Sequence, residues 1–172
     1  MQDRDFNLTF LRNPLERILS MYYFCNNRDP SEYVIYHKAN TFSLEQFLEE
    51  GHRDPWIKKN IWNNQVWQRA HGYAHLDNRT IDAFSQDELL DLAFQHMDKF
   101  HFIGITEHFE NDAAYVLKTL GLPQECSIPR VNITTNRPSL DQQPAKILNL
   151  LESLTELDWK LYNYALSKRN SC

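Results

Sequence analysis

The sequence predicts an α/β fold in which helices outnumber strands. Residues 6–11 and 101–106 have the apolar composition of short strands, and each is followed at once by apolar residues at helical spacing. A strand that leads directly into a helix is the repeating unit of proteins with parallel sheets. A length of 172 residues with 42% hydrophobic residues fits a single domain, residues 1–172, with a buried core.

The first strand and the first helix form a strand–turn–helix unit. Apolar residues alternate with Asn7 and Thr9 in residues 6–11, which is the pattern of a strand. Asn13 suits the N-cap of a helix, and Pro14 suits its first position because the missing N–H would have no partner there anyway. Apolar side chains then recur at helical spacing for about three turns.

The next segments predict a loop and two helices. Residues 26–40 are polar and irregular, which is typical of a loop. Ser43 and Gln46 form a capping box that begins a helix, and Gly51 is expected to end it. A single longer helix is expected over residues 55–71.

The second half alternates between helices, a strand and a loop. Ser85 and Glu88 form another capping box, and Gly121 is expected to end the helix that follows the second strand. Residues 73–84 and the proline-rich residues 122–144 are predicted to be loops. The helices are expected at residues 85–99, 107–120, 144–153 and 155–168.

The composition excludes several classes of site. The chain has four glycines, and no two of them lie closer than 17 positions, so neither GxGxxG nor GxxxxGK can occur. The net charge of −5 argues against a nucleic-acid-binding coat. No segment approaches the ~20 consecutive apolar residues that span a bilayer. No CxxC pair occurs, and His71 and His75 lack a neighbouring carboxylate motif, so no metal is expected.

The strongest candidate for chemistry is the segment from Arg12 to Ser20. Arg12 follows the predicted strand, where the helix N-terminus presents free N–H groups and a positive dipole, and its planar guanidinium can hold two phosphate oxygens. Ser20 lies eight positions further on, roughly 10–12 Å along a helix axis. For both to contact one phosphate, Arg12 must lie back along the helix. The alternative is a capped surface helix in which Arg17 pairs with a carboxylate.

Residues 9–24 resemble the 3′-phosphate-binding segment of the sulfotransferase family, in which a strand is followed by Arg-x-Pro-x-x-Arg and a serine. The likeness is closest to the carbohydrate branch that includes heparan sulfate 2-O-sulfotransferase. Other segments resemble the family in the same order along the chain, with a fainter match at residues 64–72. These are residues 102–109, 120–123, 132–138 and 157–165.

The resemblance implies a fold like that of P-loop NTPases and a sulfate donor, 3′-phosphoadenosine 5′-phosphosulfate. Arg12 and Ser20 would bind the 3′-phosphate of this nucleotide, and no metal would be needed. The implied reaction moves a sulfuryl group to a hydroxyl, and the likeness to the carbohydrate branch implies a glycan as the acceptor. The residues implied for the loop that closes on the nucleotide are Thr134, Thr135, Asn136 and Arg137.

The sequence also departs from the family. The loop that holds the 5′-phosphosulfate precedes the Arg-x-Pro segment in the family, whereas this sequence begins eleven residues before Arg12. The expectation is therefore the C-terminal two-thirds of a sulfotransferase domain, with strands missing from its sheet. The alternative is an inactive remnant that binds nucleotide or acts as an interaction module. Animal relatives work in the Golgi lumen and bacterial ones can be cytoplasmic, so the compartment stays open.

Two further groups of residues have alternative interpretations. Glu107 and His108 follow the second strand, where functional groups often lie in open α/β sheets, and they are weak candidates for the catalytic base. A carboxylate favoured by the helix dipole and a surface histidine are the structural alternatives. The tryptophans could stack on a sugar or form core, and the lysines could attract an anionic glycan or be solvated. These residues are Trp56, Trp62, Trp67, Lys58 and Lys59.

Overall fold

The computed structural model describes residues 6–71, 83–123 and 137–169. Within these residues two strands and nine α-helices occur in an order that confirms the helix-rich α/β prediction. They are β1 (Leu8–Leu11), α1 (Pro14–Asn26), α2 (Val34–Thr41), α3 (Leu44–Glu49), α4 (Pro55–Ile61), α5 (Asn64–His71), α6 (Gln86–Met97), β2 (Phe102–Ile105), α7 (Phe109–Thr119), α8 (Ala145–Ser153) and α9 (Glu156–Arg169). Short 3₁₀ turns lie at Glu50–His52, Thr106–His108 and Leu140–Gln142.

The two strands pair in parallel, with Leu8 opposite Phe102 and Leu11 opposite Ile105. The phenyl ring of Phe10 lies over Gly104. A Cβ built on that glycine would be only 2.3 Å from the ring. No other residue at position 104 would leave the ring in this place. The absence of a side chain at Gly104 therefore leaves the space in which the Phe10 ring packs on the strand pair.

The chain divides into two compact units, and the first contains the strands. This unit comprises Met1–Asn13, Gln65–Arg130 and Lys160–Cys172. Asp112 is buried on α7, where it accepts a hydrogen bond from the Ile105 N–H at 2.7 Å and pairs with Arg169 of α9. The buried apolar residues of this first unit come from both strands and four helices. They include Leu11, Val66, Leu89, Met97, Ile105, Val116 and Leu161.

The second unit comprises Pro14–Asn64 and Val131–Trp159 and is formed by helices. One cluster of buried side chains, most of them from α1, α2, α3, α4 and α8, makes its core. Its fully buried members include Ile18, Leu19, Ala39, Phe47, Leu48, Ile57, Ile61, Leu151 and Leu154. Gly51 lies in a buried turn, where a Cβ would be 2.7 Å from Leu154. The predicted end of the helix near Gly51 is confirmed, because α3 ends at Glu49 and Gly51 lies in the turn that follows, where it also makes room for the core.

The predicted loop over residues 26–40 is wrong at its C-terminal end, which forms α2. Ala39 of α2 is fully buried in the core cluster, and this burial stabilises a short helix with few apolar residues. Two asparagines that resembled loop residues bond to the backbone instead. Asn26 donates to the Ala39 carbonyl at 2.8 Å, and Asn40 donates to the Tyr36 carbonyl at 2.9 Å.

The predicted single helix over residues 55–71 is also wrong, because it is interrupted between α4 and α5. Asn63 has a φ of 40°, a left-handed conformation that asparagine tolerates better than most residues. Its side-chain oxygen accepts hydrogen bonds from the N–H groups of Leu157 and Asp158 at 2.9 and 3.3 Å. These two N–H groups lie in the first turn of α9, so the interruption supplies that helix with a cap from a distant segment.

Several local predictions are confirmed. The capping box of Ser43 and Gln46 begins α3, and Ser85 accepts a hydrogen bond from the Glu88 N–H at the start of α6. Gly121, with a φ of 69°, follows α7.

Among the described residues, no helix combines the length and the apolar character needed to cross a membrane. The predicted loop at residues 73–84 and the loop candidates Thr134, Thr135 and Asn136 lie mostly or wholly outside the described residues.

Candidate functional site

The carboxyl ends of β1 and β2 lie side by side because the strands are parallel and in register. Arg12 and Asn13 follow the first strand, and Thr106 and Glu107 follow the second. The Thr106 hydroxyl donates to the Leu11 carbonyl at 3.0 Å, which joins the two strand ends. Ligands of open α/β sheets bind at this edge, so these residues form the candidate site in the first unit.

Gln65 holds the main chain of Arg12 with two hydrogen bonds. The Arg12 N–H donates to the Gln65 Oε1, and the Gln65 Nε2 donates to the Arg12 carbonyl, both at 2.9 Å. Gln65 is only 5% exposed, so its amide is fixed in the interior of the unit. Arg69, one turn later on α5, donates to the Phe10 carbonyl at 3.1 Å. The end of β1 is therefore bonded to α5 through side chains, much as a neighbouring strand would bond to it.

Glu107 holds the next residue of the same turn. Its Oε1 accepts from the Asn13 N–H at 2.9 Å, and its Oε2 accepts from the Tyr162 hydroxyl at 3.2 Å. Burial, with a further contribution from the Glu107 charge, raises the pKa of Tyr162 to about 12, so the hydroxyl keeps its proton. The other weak candidate for a base, His108, lies exposed in the 3₁₀ turn that follows β2.

Ser20 lies on α1 in the second unit, and Arg137 is bonded one turn away from it. The Arg137 guanidinium pairs with the Glu16 carboxylate at 2.5 Å and donates to the Glu16 carbonyl at 3.2 Å. Glu16 and Ser20 are four residues apart and therefore share a helix face. The structure thus brings Arg137, which ends the sequence-predicted loop, to the face of α1 that carries Ser20.

Arg17 bonds to the last turn of α4 and to the first residue of α5. It donates to the Asn60 carbonyl at 3.2 Å and to the side-chain oxygen of Asn64, whose own amide donates to the Lys59 carbonyl at 2.8 Å. These partners are a carbonyl and a side-chain amide. Arg17 therefore helps to fix α1 within the second unit.

Three consecutive buried polar residues, Asn63, Asn64 and Gln65, were not predicted from the sequence to have a functional role. Each is at most 6% exposed. Asn63 caps α9, Asn64 accepts from Arg17, and Gln65 bonds to Arg12. The signal that could have revealed them is a run of amide side chains inside an otherwise apolar helical pattern, because buried amides need specific hydrogen-bond partners.

The tryptophans have different surroundings. Trp62 packs against the core cluster of the second unit, whereas Trp56 is 53% exposed on α4. Trp67, in the first unit, contacts Phe84 and His71, with ring centroids 5.7 and 4.9 Å away. Trp62 and Trp67 thus have the packing role that was the alternative to sugar stacking, and Trp56 alone of the three is largely exposed.

Other features of the described residues fit a phosphate or a metal poorly. An open cleft of about 610 Å³ in the second unit is lined by Asn149, Glu152, Ser153, Glu156 and Trp159, and its two carboxylates disfavour an anion. No group of three or more His, Cys, Asp or Glu side chains in residues 6–71, 83–123 and 137–169 could hold a metal ion. Burial raises the pKa of the Cys25 thiol to about 11, so it is an inert buried thiol.

The fold and its polar edge define an α/β protein with a candidate ligand site at the carboxyl ends of its strands. The model of the sulfotransferase family matches residues 1–165, almost the whole chain. The chain therefore belongs to the sulfotransferase family, which indicates a transferase that moves a sulfuryl group. No curated protein and no solved structure matches the chain significantly.

Proposed function

We propose that this chain binds 3′-phosphoadenosine 5′-phosphosulfate and transfers its sulfuryl group to a hydroxyl of a carbohydrate. The observation that carries the proposal is the continuous segment of β1, the Arg12–Asn13 turn and α1. It has the strand, turn and helix that the family resemblance requires, and the turn follows the carboxyl end of β1, the edge at which open α/β sheets generally bind ligands. We further propose that the sheet belongs to the P-loop-NTPase-like arrangement of sulfotransferases.

In this proposal the 3′-phosphate is held from the Arg12–Ser20 segment. The guanidinium of Arg12 donates two charged hydrogen bonds to phosphate oxygens, and the Ser20 hydroxyl donates a third. The 13-residue helix α1 begins at Pro14, so its N-terminal dipole also favours the anion. The proposal rests on the order of these residues along one continuous segment of chain.

An ion pair near Ser20 removes a negative charge that would oppose the binding of an anion. Glu16, on the same face of α1, carries a negative charge that would repel a phosphate. Arg137 neutralises it through the ion pair. We propose that Arg137 contributes to the nucleotide site from this position, together with Thr134, Thr135 and Asn136 of the loop before it.

The reaction itself forms a bond between the acceptor oxygen and sulfur while the bond from sulfur to the phosphate oxygen of the donor breaks. Adenosine 3′,5′-bisphosphate leaves, and a base takes the proton of the acceptor hydroxyl. Glu107 and His108 stay candidates for this base. Both oxygens of Glu107 already accept hydrogen bonds, so His108, which is exposed, has the freer access to an acceptor.

Calorimetry with adenosine 3′,5′-bisphosphate tests the binding part of the proposal. A charged hydrogen bond is worth about 1.5–3 kcal/mol, so Arg12→Ala should weaken the affinity at least tenfold. Ser20→Ala, which removes a neutral donor, should weaken it a few-fold. Arg53→Ala is the matched control, because Arg53 is an exposed arginine outside the Arg12–Ser20 segment. Unchanged affinity in Arg12→Ala would refute the assignment.

A transfer assay tests the catalytic part. The intact chain is incubated with the sulfate donor and a set of neutral, amino and acidic sugars, and labelled sulfate on the sugar is measured. Transfer that is lost in Arg12→Ala supports the enzyme. Nucleotide binding without transfer to any acceptor would instead favour an inactive, nucleotide-binding module.

A further inference from the structure

The turn between β1 and α1 is held by side chains that come from distant parts of the sequence. Gln65, 53 residues later, bonds to both main-chain polar groups of Arg12. Glu107, 94 residues after Asn13, accepts from the Asn13 N–H. Three consecutive polar groups of the turn's main chain therefore have side-chain partners, and all four residues belong to the first unit.

These bonds act on the one residue that the phosphate site needs most. The rotamers that the Arg12 side chain can adopt depend on the backbone φ and ψ of Arg12. The Gln65 amide fixes these angles from one side with a donor and an acceptor, as a paired strand would. Glu107 bonds to the N–H of the Arg12–Asn13 peptide group, whose carbonyl Gln65 already holds. A pre-oriented arginine loses less conformational entropy when it binds a phosphate.

Glu107 is itself held in place. Its second oxygen accepts from the Tyr162 hydroxyl, and Tyr162 is 8% exposed on α9. The carboxylate is thus oriented between a backbone N–H and a buried phenol, an arrangement that needs two acceptors but not a negative charge.

From this arrangement we infer that Gln65 and Glu107 are positioning residues, which hold Arg12 in the orientation that binds the 3′-phosphate, with Tyr162 supporting Glu107. The inference rests on the proposed function, since it assigns a task to the Arg12 site. It also gives Glu107 a role other than the catalytic base.

The first test compares two substitutions of Glu107. Glu107→Leu removes both acceptors and should weaken the affinity for adenosine 3′,5′-bisphosphate roughly tenfold, while the affinity for adenosine 5′-monophosphate, which lacks the 3′-phosphate, changes less than about twofold. Glu107→Gln should keep the wild-type affinity, because its amide oxygen can accept from the Asn13 N–H and its NH₂ can donate to the Tyr162 hydroxyl. Gln65→Met should behave like Glu107→Leu. Glu110→Leu, a nearby exposed glutamate, is the matched control.

The second test asks whether Glu107 acts through Arg12. In the Arg12→Ala background, Glu107→Leu should cause no further loss of affinity, because the side chain that it positions is gone. Losses that multiply in the double variant would overturn the inference. So would an equal loss for both nucleotides, which would indicate a general structural effect.

Three outcomes separate this inference from the proposed function. If the wild-type chain does not bind adenosine 3′,5′-bisphosphate, the proposed function fails and this inference fails with it. If the wild-type chain binds it, hydrogen exchange of the Asn13 amide should be faster in Glu107→Leu and normal in Glu107→Gln. Unchanged exchange in both variants would overturn the inference while leaving the proposed function intact.

A Glu107→Gln variant that binds the nucleotide normally but loses sulfate transfer by ~100-fold or more would make Glu107 the base. This result would also overturn the positioning role of Glu107.

Discussion

Removing the buried carboxylate of Asp112 should destabilise the first unit more than any surface substitution. Asp112 is 3% exposed and accepts from the Ile105 N–H of β2 at 2.7 Å, and it pairs with Arg169 of α9 at 2.6 and 3.0 Å. Asp112→Ala leaves the partly buried guanidinium without this partner and leaves a buried N–H unbonded. Breaking a buried ion pair from one side costs about 3–5 kcal/mol, and we expect a loss in this range.

Urea unfolding followed by circular dichroism measures the loss. With an m-value of about 2 kcal/mol per molar urea, a loss of 4 kcal/mol lowers the midpoint by about 2 M. Asp112→Asn keeps an oxygen for the Ile105 N–H and should lose less. Asp141→Ala, at an exposed aspartate in the Leu140–Gln142 turn, is the control and should change the free energy of unfolding by less than about 0.5 kcal/mol. A loss below about 1 kcal/mol in Asp112→Ala would refute the reasoning.

Three further predictions concern packing, capping and pH. Gly104→Ala should lower the free energy of unfolding by about 1–3 kcal/mol, because the added Cβ meets the Phe10 ring. Phe10→Leu in the same chain should recover part of this loss. Equal losses with and without Phe10→Leu would contradict the prediction. Asn63→Gly keeps the left-handed backbone but removes the cap of α9, and should cost about 1 kcal/mol by urea unfolding, whereas Asn63→Asp should cost less. Tyr162 holds its proton to a pKa of about 12 when folded but releases it near the ordinary 10.0 when unfolded, so its contribution to stability is complete below pH 10 and falls as the pH rises toward 12. Unfolding measured at pH 9 and pH 11 should therefore show a smaller decrease for Tyr162→Phe than for the wild-type chain, and equal decreases would contradict the assignment.

The features that the sequence predicted correctly are local ones. The strand–turn–helix segment around Arg12, the capping box of Ser43 and the left-handed Gly121 each depend on residues within a few positions of one another. The family resemblance rested on the same local segment, and the match over residues 1–165 confirms the family. Local patterns carry this information because helix caps and turns are satisfied by neighbouring residues.

The features that were missed depend on distant contacts. Helix α2 is stabilised by the burial of Ala39, and the interruption at Asn63 supplies a cap to a helix that begins more than 90 residues later. The hydrogen bond from Asn13 to Glu107 spans 94 residues and leaves no trace in a local pattern. The geometry of the candidate site therefore required the structure, while its location at the end of β1 did not.

The central claim is that the Arg12 turn binds the 3′-phosphate of the sulfate donor, and one comparison tests it most directly. The affinities of the wild-type chain and of Arg12→Ala are measured by calorimetry for adenosine 3′,5′-bisphosphate and for adenosine 5′-monophosphate. We expect the wild-type chain to prefer the bisphosphate by at least tenfold and Arg12→Ala to lose most of this preference. Equal affinities of the wild-type chain for the two nucleotides, or a preference that survives in Arg12→Ala, would contradict the claim.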